Sequence, residues 1–424
     1  MGDFFQNGVI TTLHNLADRP VGELEKDLQG WSDERPMSLI IPSLYSEFEG
    51  PAMPRIISEL ETNNYLSEII IGLDRADSQQ FKMVKEQVSD IPVDVKVIWN
   101  DGPVMRDLQS ELASEGLAPL ERGKGSNVWY AMGYFLASGK GKILALHDAD
   151  ILNYRSEMLA RLLYPLANPT FGYAFCKGYY FRTDSDGFNG RVARLLVTPL
   201  LRAMKQILGE DDFLTYLDSF RYPLAGEFSM DADLVRGLRI PFDWGLEIGV
   251  LSEVYRNYTT SRICQVDIAD SYSHKHQIAS EDNPSQGLHR MAIDISKSIF
   301  RKLAINGEVF SQGFFRTLKA TYYRTALDLS DRYQHDAEMN GYPIDRHSEE
   351  NLIELFSRAI TKAGEDYLMH PMEQPFIPSW SVAMSAMPDI LHRIQTAVDS
   401  ENLLNGLIGS NLWDQSLRKM SIKN

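Results

Sequence analysis

The 424-residue chain reads as an α/β protein: a mostly parallel sheet with helices on both faces, followed by a helical extension. Three observations predict this. Apolar, strand-like runs alternate with segments of helical spacing from residue 36 onward. Those runs end in acidic or amide residues, as strands do when they leave a core. From about residue 281 the spacing turns helical and stays so.

Taken in order, "RPVGELEKDLQGW" is a short amphipathic helix ahead of the main fold. "MSLIIPSL" (37–44) is a strand apolar on both faces and stopped by Pro42; "LSEIIIGLD" (66–74) is a second. "PAMPRIISELETNNY" between them carries apolar residues at helical spacing. "VDVKVIWN" (93–100) alternates with period two and makes a third strand. "SNVWYAMGYFLASGK" is a helix that Ser126 can cap, and "KILALHD" is the fourth strand. Beyond residue 281, "MAIDISKSIFRKLAI" and "ENLIELFSRAITKAG" are helices, and "HPMEQPFIPSW" interrupts them with three prolines. The expected organisation is an N-terminal helical segment (1–35), an α/β domain (36–280) and a helical lobe (281–424), the last suited to forming a homodimer.

A net charge of −16 argues against nucleic acid or an anionic membrane as partner. No apolar run approaches the roughly 20 residues that span a bilayer. The first sixteen residues lack the basic start and apolar core of a secretory signal. Cys176 and Cys264 alone exclude a disulfide scaffold, so a reducing, cytoplasmic setting is expected. Any anionic ligand must then be met by a local cluster of cations.

The chemistry concentrates where strands end, which is where open α/β sheets hold ligands. "ILALHDADIL" places Asp148 and Asp150 one residue apart at the end of the fourth strand. On an extended strand both point the same way, about 7 Å apart. One can hold Mg²⁺ or Mn²⁺ through oxygen while the other serves a water or a ribose hydroxyl. The blander reading is a solvated turn capping the next helix. A second D-x-D, Asp231-Ala232-Asp233, is read that way, as a cap of "ADLVRGL". "ERGKGSN" (121–127) flanks Lys124 with glycines that let backbone N–H groups approach an anion. It lacks the spacing of a P-loop. Lysine and acidic pair together fit a nucleotide diphosphate held between an ammonium and a metal ion. "NGRVARLLVTPLL" opens a helix at Gly190, so free N–H groups and Arg191, with Arg194 behind it, offer a second anion site. Arg122, Lys124, Lys177, Arg182, Arg191 and Arg194 make up the local cationic cluster.

"PSLYSEFEG", "RGKGSNVWYA", "HDADI", "FCKGYYFR", "NGRVARLLVTPLL", "YPLAGEFSM", "PFDWGLEIGVL" and "QVDIADSYSHKHQ" occur in the order seen in one family. Over residues 36 to 280 the chain resembles the glucosyl-3-phosphoglycerate synthases, retaining glycosyltransferases of the GT-A type. The resemblance implies transfer of glucose from UDP-glucose to 3-phosphoglycerate with Mg²⁺ or Mn²⁺. Mannosylglycerate synthases share the GKG and D-x-D logic and are the near alternative, with another nucleotide sugar or with glycerate as acceptor. A non-catalytic nucleotide-binding protein on the same fold is the alternative of a different class. The glycine loops of nucleotidyltransferases and dehydrogenases are absent after the first strand.

By the resemblance, Pro42, Ser43, Leu44 and Glu47 line the uridine site, with Asp74 near base or ribose. Lys124 meets the diphosphate, Asp148 the ribose, and Asp150 the metal. His274 is the expected second metal ligand because it takes the first place of its motif; His276, two residues on, competes with it. Gly190, Arg191, Val192 and Glu227 serve the acceptor, and Glu247 and the backbone of Leu224 assist catalysis. Two positions depart from the family: Ala193 stands in place of a threonine at the phosphate site, and Asn189 in place of a glycine.

Overall fold

The structure, a computed structural model, describes residues 6, 8–16, 19–184, 187–274, 287–373 and 376–404. Among the described residues there are ten strands: β1 (Thr11–Leu13), β2 (Met37–Leu44), β3 (Leu66–Asp74), β4 (Val95–Trp99), β5 (Ile143–Leu146), β6 (Phe175–Tyr180), β7 (Thr183–Asp184), β8 (Gly187–Phe188), β9 (Phe228–Asp231) and β10 (Ile263–Ala269). Eight of them form one sheet in the order β1-β10-β6-β9-β5-β2-β3-β4, while β7 and β8 pair as a small separate ribbon. Every pairing in the large sheet is parallel except those of β9, which runs antiparallel to both β5 and β6.

This order has a functional consequence. The chain moves outward from β2 through β3 to β4, then returns to β5 on the other side of β2, and that reversal opens a crevice at the strands' carboxyl ends. Because β9 is reversed, Phe228 pairs with Leu146, and the loop before β9 arrives at the same edge. Side chains from residues 42–48, 74, 100–101, 147–151 and 224–227 therefore converge there.

The strand boundaries follow the hydrophobic pattern, with instructive differences. β2 does not stop at Pro42: its pairing with β5 ends at Ile40, while its pairing with β3 continues to Leu44↔Asp74. The missing proline N–H thus falls past the point where β2 is flanked on both sides. β5 ends at Leu146, so Asp148 and Asp150 lie in a turn, and strand alternation does not set their directions. The helix expected from Ser126 begins at Lys124, after Gly123, and Ser126 is buried within it. Asp231 precedes the helix Ala232–Gly237 but makes no side-chain cap; it faces Arg262 at 3.6 Å.

Two hydrophobic layers cover the sheet. One includes Leu28, Ile56, Phe81, Leu159 and Leu163 from helices of the first 170 residues. The other joins Trp129, Phe135, Leu195 and Leu246 to Ile299, Leu318, Phe356, Trp380 and Ile394. The C-terminal helices therefore share the main core and do not hang from it as a separate lobe. Trp129 and Trp380 stack at 4.2 Å, each indole N–H donating to a backbone carbonyl near its partner. Gly133 makes room, since a Cβ there would lie 2.0 Å from Trp380. Asn402, on the helix Ile390–Leu404, accepts from Val97 N–H and donates to Val97 C=O, closing the exposed side of β4. At the opposite edge β1 adds to β10, so the N-terminal segment is not helical alone. Among the described residues no helix is long and apolar enough to cross a membrane.

Candidate active site

Lys124 organises the crevice. Its helix, Lys124–Ser138, runs buried through Phe135, and the close approach of Gly125 to Pro241 fixes its start. A Cβ on Gly125 would lie 2.1 Å from the Pro241 carbonyl. The proline-rich segment holds Pro241 in turn: Phe376 bridges to it, and Ile377 N–H donates to Ile240 C=O. Fixed this way, the Lys124 ammonium lies 2.6 Å from Asp148 Oδ1 and 3.1 Å from Glu247 Oε1. Burial alone would depress the Lys124 pKa, but the two carboxylates outweigh it and hold the pKa above the ordinary value. Burial likewise opposes ionisation of Asp148, and the Lys124 ammonium reverses the effect, keeping that carboxyl below its ordinary value.

Asp150 shows the opposite balance. Burial, then the neighbouring Asp148 charge, pushes its pKa up to about 7. Glu227 is raised too, first by burial and next by Asp148. Asp148, Asp150, Glu227 and Glu247 thus gather around Lys124 with more negative charge than one ammonium neutralises. Gly226 touches the group directly: a Cβ there would lie 2.2 Å from Asp148 Oδ2, so the Leu224–Glu227 loop rests on the acidic turn.

His274 is brought to this place by short pairing beside the turn. It forms an isolated bridge with Ile151, Leu152 N–H donates to Ser273 C=O, and the Asn153 amide donates to Ser271 C=O. Its backbone therefore lies alongside the residue that follows Asp150, and its imidazole acts on the Asp148 charge. The ring faces Arg182, whose Nη2 is 2.8 Å from Nδ1 and also contacts Nε2. His276 lies outside the described residues. Among the described residues no three His, Cys, Asp or Glu side chains form a metal cage. An acidic turn with one adjacent imidazole instead suits Mg²⁺ or Mn²⁺, which keep few protein ligands and take the rest from substrate phosphates and water.

The other expected donor residues lie along the same edge. Pro42, Ser43 and Leu44 end β2, Glu47 is in the single turn Tyr45–Phe48, and Leu44 pairs with Asp74. Arg122 holds two acids, Asp101 at 2.7 Å and Asp74 at 3.5 Å. Asn127 donates to Gly72 C=O at 2.9 Å and occupies the space a Cβ on residue 72 would need.

The residues expected to serve the acceptor are arranged differently. Gly190 has φ +69°, the left-handed region that favours glycine, and packs beside Tyr222 and Arg182. Arg191 and Val192 open a helix whose next five residues, Ala193–Val197, form a π-helical turn, a distortion frequent at functional sites. Arg191 has no ion-pair partner among the described residues. Arg194 does not face the cleft: it binds Glu349 at 2.7 Å and the carbonyls of Asn189 and Phe188.

Two further expected residues meet different surroundings. Glu227 is fully buried, and its oxygens accept from Tyr180 (2.7 Å) and Tyr272 (2.6 Å), whose rings stack at 3.8 Å. Each of its oxygens thus already serves one tyrosine hydroxyl, which fixes the carboxyl in place. Lys177, also fully buried, lies 5.3 Å over the Phe228 ring; burial pushes its pKa down to about 8, and it has no hydrogen-bond partner among the described residues. It contributes to the field under the site, with Glu247 and Glu227 acting against the effect of burial. Sequence reasoning missed Tyr180, Tyr222 and Tyr272 as supports, although the first lies within "FCKGYYFR" and the last within "SYSHKHQ".

No protein-family model matches the chain. The glucosyl-3-phosphoglycerate synthase of Persephonella marina is 48% identical over 402 residues, which cover 95% of this chain and 99% of that protein. The enzyme of the same name from Methanococcoides burtonii is 40% identical over 400 residues, 93% and 97% of the two chains. Among solved structures, glucosyl-3-phosphoglycerate synthase of Mycobacterium tuberculosis, in complex with Mn²⁺, UDP-glucose and phosphoglyceric acid, superposes with a TM-score of 0.52 at 20% identity. The match covers 70% of this chain and 88% of that one. Mannosyl-3-phosphoglycerate synthase of Rubrobacter xylanophilus gives 0.53 at 21% identity, covering 71% and 83%. At such identities the solved structures establish the fold that the two chains share with this one.

Proposed function

The chain belongs to the glucosyl-3-phosphoglycerate synthase family, and from that premise we propose how its residues move glucose from UDP-glucose to 3-phosphoglycerate. The observation that carries the reading is the crowding of Asp148, Asp150, Glu227 and Glu247 about Lys124. Such a cluster is short of positive charge until a cation joins it. Asp150 and His274 would hold that ion, Mg²⁺ or Mn²⁺, which supplies Lewis-acid stabilisation of the departing diphosphate.

The chain's own groups do the rest. Pro42 to Leu44, Glu47 and Asp74 form the uridine end, and Asp148 holds the ribose side while orienting Lys124. The Lys124 ammonium meets charge that grows on the leaving oxygen, so it binds the transition state more strongly than the ground state. Glu247 holds the other side of Lys124 and faces the sugar hydroxyls.

Retention needs a protein nucleophile or attack from the leaving-group face. Glu227 is a poor nucleophile, being buried with both oxygens engaged by tyrosines, and Glu247 is paired to Lys124. Same-face attack follows, with the departing phosphate oxygen taking the acceptor's proton and the Leu224 backbone positioning it. On the acceptor side Gly190, Arg191 and Val192 offer the helix start and a guanidinium to the phosphate. Cys176 and Cys264, buried free thiols paired across β6 and β10, suit a cytoplasmic setting.

Asp150→Asn tests the reading. UDP release from UDP-glucose and 3-phosphoglycerate should vanish while the thermal melt stays near wild type, and near-wild-type turnover would refute the metal role. Protonated Asp150 is a poor ligand, so Mn²⁺ affinity of the wild type should rise about tenfold per pH unit up to about 7, then level off. A titration by electron paramagnetic resonance reads this slope, and Asp150→Asn should make it shallower.

A further inference from the structure

Arg182 stands where the two halves of the cleft meet, and nothing in the mechanism above uses it. Its backbone carbonyl accepts from Asn189 N–H at 2.7 Å, and its Cβ is 3.6 Å from where a side chain on Gly190 would begin. The residue is therefore built into the acceptor turn. Nη1 donates to Tyr222 Oη at 2.9 Å, and the Tyr222 ring borders Gly190 as well. Nη2 faces the His274 imidazole. Nε is buried and has no acceptor among the described residues.

Two facts of chemistry bear on this arrangement. A guanidinium has only donors, so an imidazole nitrogen facing it must present its lone pair. A metal ion needs that same lone pair. The two contacts exclude each other. Nε already lacks an acceptor among the described residues, and Nη2 would lose its own once His274 turned away, leaving a two-pronged fork that matches a carboxylate.

We propose that Arg182 binds the carboxylate of the acceptor and that its contact with His274 delays this until His274 turns to the metal. The inference rests on the function proposed above and deepens it. With His274 engaged, Arg182 keeps its bond to Tyr222 and swings Nη2 and Nε toward the acceptor. The phosphate end lies at Gly190 and Arg191, one turn away. Arg182, nearer the acidic turn, meets the carboxylate beside the attacking hydroxyl. The acceptor site is thus completed only after the donor side is loaded, which limits idle binding of the anion to an enzyme that cannot react.

The test compares wild type with Arg182→Gln, which retains a donor for Tyr222, and with Arg182→Lys, which retains charge without the fork. Kinetics are run with 3-phosphoglycerate and with glycerol 3-phosphate, which lacks the carboxylate. In both variants the KM for 3-phosphoglycerate should rise at least tenfold, with KM for UDP-glucose and for glycerol 3-phosphate changed by less than twofold. Without turnover, Mn²⁺ should bind Arg182→Gln several-fold more tightly than wild type, because the competing guanidinium is gone. Calorimetry should find 3-phosphoglycerate binding the wild type at least tenfold more tightly with Mn²⁺ and UDP present than when Mn²⁺ is omitted. An unchanged KM for 3-phosphoglycerate, equal rises for both acceptors, or Mn²⁺ affinity that stays level or falls in Arg182→Gln would each overturn the proposal. Wild-type protein that transfers glucose to neither acceptor would instead sink the proposed function, and the Mn²⁺ titration would still judge Arg182.

Discussion

In the donor half of the cleft, Asp74 ends β3, Leu44 pairs with it from β2, and Asp148 and Asp150 follow two and four residues after β5. In the half proposed for the acceptor, Gly190, Arg191 and Val192 follow the β7–β8 ribbon, which lies outside the large sheet. Their support comes from the C-terminal helices. A Cβ on Gly187 would meet the Pro343 carbonyl at 2.4 Å, Phe188 contacts Tyr342, and Arg194 is held by Glu349 and covered by the Tyr333 ring. One half is thus placed by sheet register and the other by packing against residues about 150 positions away. The donor half should tolerate almost no displacement, whereas the acceptor half should respond to changes far from it.

The largest effect expected is at Gly226. Any side chain there runs into the Asp148 carboxylate, so Gly226→Ala must turn that carboxylate off Lys124 or push the loop aside. A shift of about 1 Å at a catalytic group costs on the order of 100-fold in rate. We expect kcat to fall by about that factor or more with the melting temperature nearly unchanged. Turnover near wild type would show that the loop yields freely, and the contrast in rigidity between the two halves would fail.

The same contrast explains how much the sequence revealed. Strand ends are marked by a local switch from apolar to acidic residues, so β3 and the acidic turn after β5 stood out directly, whereas β2 runs two residues past the proline expected to stop it. Lys124 stood out through its glycines. The direction of Asp148 did not, because it depends on where β5 stops and on Gly226, which lies 78 positions later in the chain. Glu227 stood out because it sits in a motif, but the two tyrosines from separate segments that fix its oxygens did not. Arg194 looked like an acceptor residue because it lies one helical turn past Gly190. Only the distant Glu349 reveals it as a strut. A helical pattern after residue 281 was legible, but the pattern alone does not say that those helices share the core with the sheet.

Glu349 offers the next largest effect. Its oxygens accept from Arg194 at 2.7 Å and from Ser330 at 2.9 Å, and both members of the ion pair are largely buried. Glu349→Gln leaves the guanidinium without its counter-charge, and breaking such a buried pair costs about 3 kcal/mol. Urea unfolding should show a loss of that order. Because Arg194 grips the carbonyls of Asn189 and Phe188, the acceptor turn should loosen as well, raising the KM for 3-phosphoglycerate severalfold while leaving that for UDP-glucose unchanged. Equal changes in both constants would mean that the C-terminal helices brace the whole cleft and not the acceptor half alone.

The smallest effect concerns Ala193, where the family pattern has threonine. The residue is buried at the start of the π-helical turn, three positions after Gly190, and brings no hydroxyl to the phosphate. A hydrogen bond to a charged group is worth about 1.5–3 kcal/mol at most. A threonine introduced into a packed turn must also fit its extra atoms, which reduces the gain. Ala193→Thr should therefore lower the KM for 3-phosphoglycerate by only about threefold. Its use of glycerate, which has no phosphate to bind, should stay as it was. If preference between these two acceptors does not move, the phosphate is held without residue 193. The acceptor half would then owe its selectivity to Arg191 and the helix start, with the departure at 193 absorbed by the turn itself.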